Sequence, residues 1–333
     1  MRKFCKKVLF INYGGIGDEI LFLPVIEGFK KLYPNSSATL CLEPRASGIK
    51  TLSDKIDDVI TVDIKASGIK KYLNILKLIF KIRFMGFDIV ISSGKSPFVP
   101  IILFLTGIKT KIGYSSKTSK LLTYEIPLNE NCYAGNMYFE LLKPFENVNF
   151  ELPEIKFDEK FQTPFNDFIL LHPGVSLMSI QKGIFKCPDT DFWIELIKKL
   201  LDKGEKVILS GGPDDFKTVS KILADNDIKN SPNFYSMYKK TKNLYETAGL
   251  IKKAKAFICC DSAPLHIAVC LKQNTYVLFG PTNETKLVPN NDSIRVIKKN
   301  TDCRPCLWDK RLTNCEDSIC LKFTADEVLN CMK

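Results

Sequence analysis

Short apolar runs alternate with segments of helical periodicity along nearly the whole chain, and that alternation leaves few folds open. Residues 7–14 (KVLFINYG) read as a buried strand, and residues 18–33 carry apolar side chains at helical spacing. Strands follow at 38–44, 57–63, 87–94 and 110–116, with a Leu/Ile/Lys helix at 70–84. This order implies a parallel sheet covered on both faces. The pattern lapses at 147–164, which reads as an interdomain linker. It then restarts, with strands at 167–174, 205–213, 233–238, 255–261, 274–282 and 293–299. Helices are predicted at 188–203, 243–253 and 262–271, and a capped terminal helix at 323–333. A chain of 333 residues is long enough for two cores. The expectation is therefore α/β, two doubly wound domains spanning 1–160 and 161–333. Folds of this kind bind ligands at the carboxyl ends of their strands.

Charge narrows the partners. The chain carries 48 basic and 37 acidic residues, a net +11, which favours an anionic partner or reflects a lysine-rich bias. The lysines are scattered and no nucleic-acid motif is present, so no nucleic acid is expected. No apolar run reaches the ~18–20 residues that span a bilayer. The longest candidate, 98–108, contains a Pro and a Gly. The opening residues superficially resemble a signal peptide, but their short apolar part runs into a Gly turn and reads as the first strand. A cytoplasmic protein is expected.

Four loops stand out, each after a predicted strand. In "NYGGIGDEILFLP", Gly14, Gly15 and Gly17 permit close backbone approach, and Asp18 opens a helix where an acid suits the dipole. A tight turn with an N-terminal cap explains the same residues without chemistry. The Gly-Gly-x-Gly-Asp spacing is not the Gly-x-Gly-x-x-Gly of a dinucleotide site, which argues against an NAD enzyme. In "LLHPGVSLMSIQKGIFKCP", backbone amides of Gly174, Val175 and Ser176, with Lys182 or Lys186, can cradle a phosphate. An ordinary mobile loop is the alternative, though this loop is long for its class. In "LSGGPDD", Gly212 lets a ligand come close, and Asp214 or Asp215 can accept ribose hydroxyls or simply cap a helix. In "DSAPLHIAVC", Asp261 ends a strand and Asp261 or Ser262 can cap the helix that Ala263 and Pro264 open. His266 falls near that helix's positive end, where free amides suit an anion.

Together these loops resemble the ADP-heptose:lipopolysaccharide heptosyltransferase family, glycosyltransferase family 9. The similarity covers nearly the whole chain, and Asp-Ser-x-Pro-x-His-x-Ala followed by Phe-Gly-Pro-Thr is its most specific part. The resemblance implies the GT-B fold, with two facing Rossmann-like domains, acceptor-side then donor-side. It implies an inverting, metal-independent transfer in which Asp18 is the catalytic base and Gly15, Gly17 and Lys95 lie on the acceptor side. The segment from Asp261 to His266 would hold the donor, and a lysine of the long loop would neutralise the leaving ADP. Two departures bear on the donor: Ala263 stands where the family usually has Gly, and Phe185 and Cys187 occupy its usual Lys and Trp positions. The implied partners are a nucleotide sugar, ADP-heptose, and an anionic glycolipid acceptor, with peripheral contact at the inner membrane face. A family member using another nucleotide sugar and a non-catalytic nucleotide-sugar binder are the alternatives.

Twelve cysteines are many for such a protein. Cys303, Cys306, Cys315 and Cys320 cluster at a spacing that can hold one structural zinc ion. Reduced structural thiols and disulfides are the alternatives.

Overall fold

A computed structural model describes residues 6–145, 148–307, 315 and 317–332. Cys5, the first residue of the predicted linker, residues 308–314 and Lys333 lie outside the described residues. The chain divides into two compact units, Met1–Lys156 and Phe157–Lys333.

Unit 1 runs β1 (Lys7–Ile11), α1 (Ile16–Leu32), β2 (Ser37–Leu42), β3 (Asp58–Thr61), α2 (Ile69–Phe84), β4 (Ile89–Ser92), α3 (Phe98–Leu105), β5 (Thr110–Tyr114), β6 (Tyr124–Ile126) and α4 (Ala134–Phe139). Its six strands are parallel in the order β3-β2-β1-β4-β5-β6. β1 is central because Val8, Leu9, Phe10 and Ile11 are apolar on both faces and all are buried. Phe10 meets Phe22 and Phe29 of α1 edge-on, with ring centroids 6.4 and 5.8 Å apart. Gly28 lets α4 close on α1: a Cβ there would lie 2.8 Å from Leu142 Cδ1 and from Phe139 Cε2.

On the same helix, Glu27 is buried and accepts the Glu154 N–H at 3.2 Å. Burial raises its carboxyl from 4.5 to about 7. The unfolded chain therefore ionises first as pH rises, while the folded protein keeps its proton. Stability falls between pH 4.5 and 7 by up to about 3 kcal/mol, at ~1.4 kcal/mol per pKa unit. Glu27→Gln keeps an acceptor for Glu154 and cannot ionise. The variant is expected to lose this part of the slope and to exceed the wild type in stability at pH 8. Denaturant titrations across that range check it, and parallel curves for the two proteins would refute it.

Unit 2 repeats the plan: β7 (Ile169–His172), α5 (Leu177–Gln181), α6 (Thr190–Asp202), β8 (Val207–Leu209), α7 (Phe216–Ala224), α8 (Asn226–Lys229), β9 (Phe234–Ser236), α9 (Leu244–Lys253), β10 (Ala256–Cys260), α10 (Ala263–Cys270), β11 (Thr275–Phe279), α11 (Glu284–Leu287), β12 (Ile294–Lys298) and α12 (Ala325–Cys331). The parallel order is β12-β11-β10-β7-β8-β9. Trp193, Leu196 and Ile197 of α6 pack on Ile169, Leu171, Val207 and Leu209. The terminal helix α12 carries a reciprocal cap: Thr324 Oγ1 accepts from Glu327 N–H, and Glu327 Oε2 accepts from Thr324 N–H. Its Val328 and Leu329 join the α6 core.

The predicted strands all appear, generally shorter. The helix expected from residue 188 starts at Thr190, because Asp189 takes the cap position and accepts the Phe192 N–H. The long loop before it is not wholly irregular, since it contains α5.

Candidate active site

In unit 1 the strand order reverses between β1 and β4, and the loops leaving these two strands meet at their carboxyl ends. Gly15 is the N-cap of α1 in extended conformation, and Asp18 Oδ2 accepts its N–H at 2.8 Å. Asp18 is exposed, and among the described residues that is the only hydrogen bond to its carboxylate. The capping role read from the sequence is thus present, on a carboxylate that remains open to solvent. Lys95, in the loop after β4, is exposed and pairs with Glu130.

Four residues here were not legible as site residues. Asn12 Oδ1 accepts from the Ser93 hydroxyl, and Asn12 Nδ2 donates to Asp18 O at 3.3 Å, which ties the end of β4 to the first turn of α1. Arg45 brings a guanidinium beside Gly15, within 3.7 Å of where a Cβ would stand. Glu19 is fully buried beneath the glycines, and its Oε1 accepts the Gly14 N–H at 3.3 Å. Burial, reinforced by the charge of Asp18, holds the Glu19 carboxyl well above the usual range. Only the Gly-Asp motif flagged this loop, and nothing in the sequence marked Glu19 as pointing inward.

In unit 2 the reversal falls between β7 and β10. The loop after β7 holds Gly174, Val175 and Ser176, and the loop after β10 holds Asp261 and Ser262. Lys186 Nζ reaches Asp261 Oδ2 at 3.1 Å, and both side chains are largely buried. Of the two candidate lysines, Lys186 is therefore at the switch point, while Lys182 is exposed at the end of α5.

Gly174 is required by close approach: a Cβ would fall 2.2 Å from Asp215 Oδ1. Asp215 is buried, accepts the Gly212 N–H at 2.7 Å and lies 3.9 Å from His172 Nε2. Ser210 Oγ gives its hydrogen to Leu171 O at 2.9 Å, so His172 Nδ1–H donates to Ser210 Oγ at 3.2 Å. Burial pushes the imidazole down and the Asp215 carboxyl up, toward neutral forms of both. Asp214 accepts the Leu177 N–H at 3.0 Å. Both carboxylates after Gly212 thus have partners within the unit.

Neither Asp261 nor Ser262 caps α10. Ser262 is the extended N-cap residue, but its hydroxyl donates back to Cys260 O at 3.4 Å. The capping expected from the sequence is not made. Asp261 is instead held by Lys186, and Pro264 fills the first turn. Ala263 and Pro264 are half-buried, and His266 is buried in the fourth position of the helix.

Beyond β11, Arg304 fastens the cysteine-rich tail to the loop after Phe279. It donates to Gly280 O at 2.6 Å and Thr282 O at 3.2 Å, and pairs with Glu284 at 2.9 Å. Burial, then the neighbouring thiols of Cys306, Cys303 and Cys315, push the Cys320 thiol up to about 11. Among the described residues, no three His, Cys, Asp or Glu are arranged to hold a metal ion.

Two doubly wound parallel units, each with a switch point in its sheet, give the chain the GT-B fold. The model of glycosyltransferase family 9 (heptosyltransferase) matches residues 75–315, and the chain belongs to that family. Lipopolysaccharide heptosyltransferase 3 of Escherichia coli K12 is 26% identical over 292 residues, which cover 84% of this chain and 83% of that one. Lipopolysaccharide heptosyltransferase 2 of the same strain is 22% identical over 313 residues, 88% of each chain. Among solved structures, E. coli ADP-heptose LPS heptosyltransferase II superposes with a TM-score of 0.75 at 19% identity, over 97% of this chain and 96% of that one. E. coli heptosyltransferase WaaC with ADP-2-deoxy-2-fluoro heptose gives 0.73 at 16% identity, over 98% of both chains.

Proposed function

We propose that this enzyme transfers heptose from ADP-heptose to a lipopolysaccharide-core acceptor with inversion, without a catalytic metal. The observation that carries the reading is the Lys186–Asp261 pair at the unit 2 switch point, beside the start of α10. That position suits an anionic leaving group: a cation and helix amides converge where a diphosphate would sit.

In the proposed reaction, Asp18 takes the proton of the acceptor hydroxyl as its oxygen attacks the anomeric carbon of the donor. The bond from that carbon to the diphosphate breaks, and ADP leaves with the electron pair. Lys186 moves from Asp261 toward the developing phosphate charge, and Asp261 then fixes a sugar hydroxyl. Gly174, Val175 and Ser176 offer backbone to the diphosphate. Ser262, Ala263, Pro264 and His266 shape the start of α10. Gly212 and the buried Asp215 position the loop after β7 through Gly174. Lys182 remains a second, outer cation. Gly15, Gly17 and Lys95 border the acceptor. The enzyme works at the cytoplasmic face of the inner membrane, where a glycolipid acceptor is held. Cys303, Cys306, Cys315 and Cys320 would supply the thiolates for one structural zinc ion, and metal analysis of the purified protein tests that part.

ADP release from a panel of nucleotide sugars, with truncated core acceptors, tests the function. Release is expected with ADP-heptose and only when acceptor is present. Release from a different donor alone would replace heptose as the sugar. Tight ADP-heptose binding with no release on any acceptor would make the protein a binder.

A further inference from the structure

Helix α2 turns most of its apolar surface away from the protein. Leu78, Ile79 and Ile82 are buried beneath it. Ile69, Tyr72, Leu73, Leu76, Phe80 and Phe84 are exposed, Phe80 at 62% and Phe84 at 84%. By helical geometry these six lie within an arc of about 120°, opposite the buried side. Lys70, Lys77 and Lys81 run along one flank of that stripe. With Lys71 and Arg83 they make five cations, and no acid occurs from Ile69 to Phe84.

Helix α3 extends the same surface. Phe98, exposed at 69%, is joined by exposed Ile101, Phe104 and Leu105. Both helices are crossovers running the same way across the sheet, from β3 to β4 and from β4 to β5, and so cover one face of it. They share a core through Leu78, Ile82 and Leu103, and Arg83 Nη1 donates to Leu105 O at 3.2 Å. Their outward faces therefore adjoin.

An apolar patch of this extent marks a docking surface, and its charge selects the occupant. A second copy docked by the same face would set the five cations of α2 against their own images. A nucleic acid would be served by the cations and would leave the phenylalanines in water. An anionic bilayer takes both, with aromatic and aliphatic side chains at the headgroup boundary and lysines against phosphate.

We infer that the α2–α3 face of unit 1 docks on an anionic lipid surface. This deepens the proposed function and rests on it for the membrane-held acceptor. The helices begin where β3 and β4 end, so the docking face starts at the sheet edge that carries Asp18 and Lys95. A lipid-anchored acceptor would then lie beside the loop that activates it.

Vesicle co-sedimentation tests the inference without donor or acceptor, so its failure is separable from failure of the proposed reaction. The full chain is expected to bind phosphatidylcholine vesicles containing phosphatidylglycerol and not phosphatidylcholine alone. Phe80→Ser, Phe84→Ser and Phe98→Ser should each weaken binding about tenfold or more, the scale of a buried Phe. Lys70→Gln/Lys77→Gln/Lys81→Gln should weaken it about 100-fold, at roughly fivefold per lysine. Circular dichroism and ADP release with a water-soluble acceptor should not change in any of them. Wild-type protein that ignores anionic vesicles, or variants that bind them as well as wild type, would overturn the inference. So would a dimer in light scattering that these substitutions convert to monomer, because the face would then belong to a second copy.

Discussion

Asp18→Asn is expected to lower turnover about 10²-fold or more, the usual scale for removing a general base, while ADP affinity holds. The substitution separates two roles that the structure superimposes. As a cap, the side chain needs only an oxygen to accept the Gly15 N–H, now bonded at 2.8 Å, and Asn supplies one. As a base it must take a proton, and Asn cannot. Melting temperature should therefore stay close to that of the wild type while the chemistry fails. Glu19 offers no substitute, because it is fully buried beneath the loop and its Oε1 already accepts the Gly14 N–H. Steady-state rates, ADP titration and thermal unfolding on the one variant decide the matter. Near-normal turnover would leave Asp18 a helix cap and nothing more.

The two sheets were legible because their central strands are apolar on both faces, as in Val8–Ile11 and the AFICC of β10. The loops were legible as places, since each follows a strand and breaks the pattern with Gly, Pro or Asp. Their internal wiring was not. Nothing in "SGGPDD" says that Asp215 turns inward toward His172 and against Gly174, because that contact joins the ends of β7 and β8 across the sheet. Asn12 and Ser93 meet for the same reason, from neighbouring strands far apart in sequence. Neither Asp261 nor Ser262 makes the expected cap, because Asp261 is held by a tertiary partner, Lys186, and the Ser262 hydroxyl donates to Cys260 O. By contrast α7 carries a readable signal in "FKTVSKILA", with Val219 and Ile222 buried at helical spacing. Peripheral elements such as β6, α4 and α8 are too short for periodicity to report.

Lys186→Ala is expected to destabilise the ligand-free protein by about 3 kcal/mol, because it strands the buried carboxylate of Asp261 without its cation. Most of that loss comes from the uncompensated charge, not from the missing contact. Lys186→Ala/Asp261→Asn should therefore recover most of the stability, since an amide costs far less to bury than an anion. Affinity for ADP should not recover with it. If Lys186 leaves Asp261 for the diphosphate, both variants lack that cation and both bind ADP at least about tenfold more weakly, the scale of a charge-assisted hydrogen bond. Lys182→Ala, at an exposed position, should change neither stability nor affinity to that degree. Equal instability in the single and double variants would show that Lys186 matters for packing alone. Unchanged ADP affinity in both would remove the phosphate from Lys186. In the expected pattern, a single buried pair stabilises the empty site and is then broken by substrate, so that Asp261 is released for the sugar as its cation is taken by the leaving group.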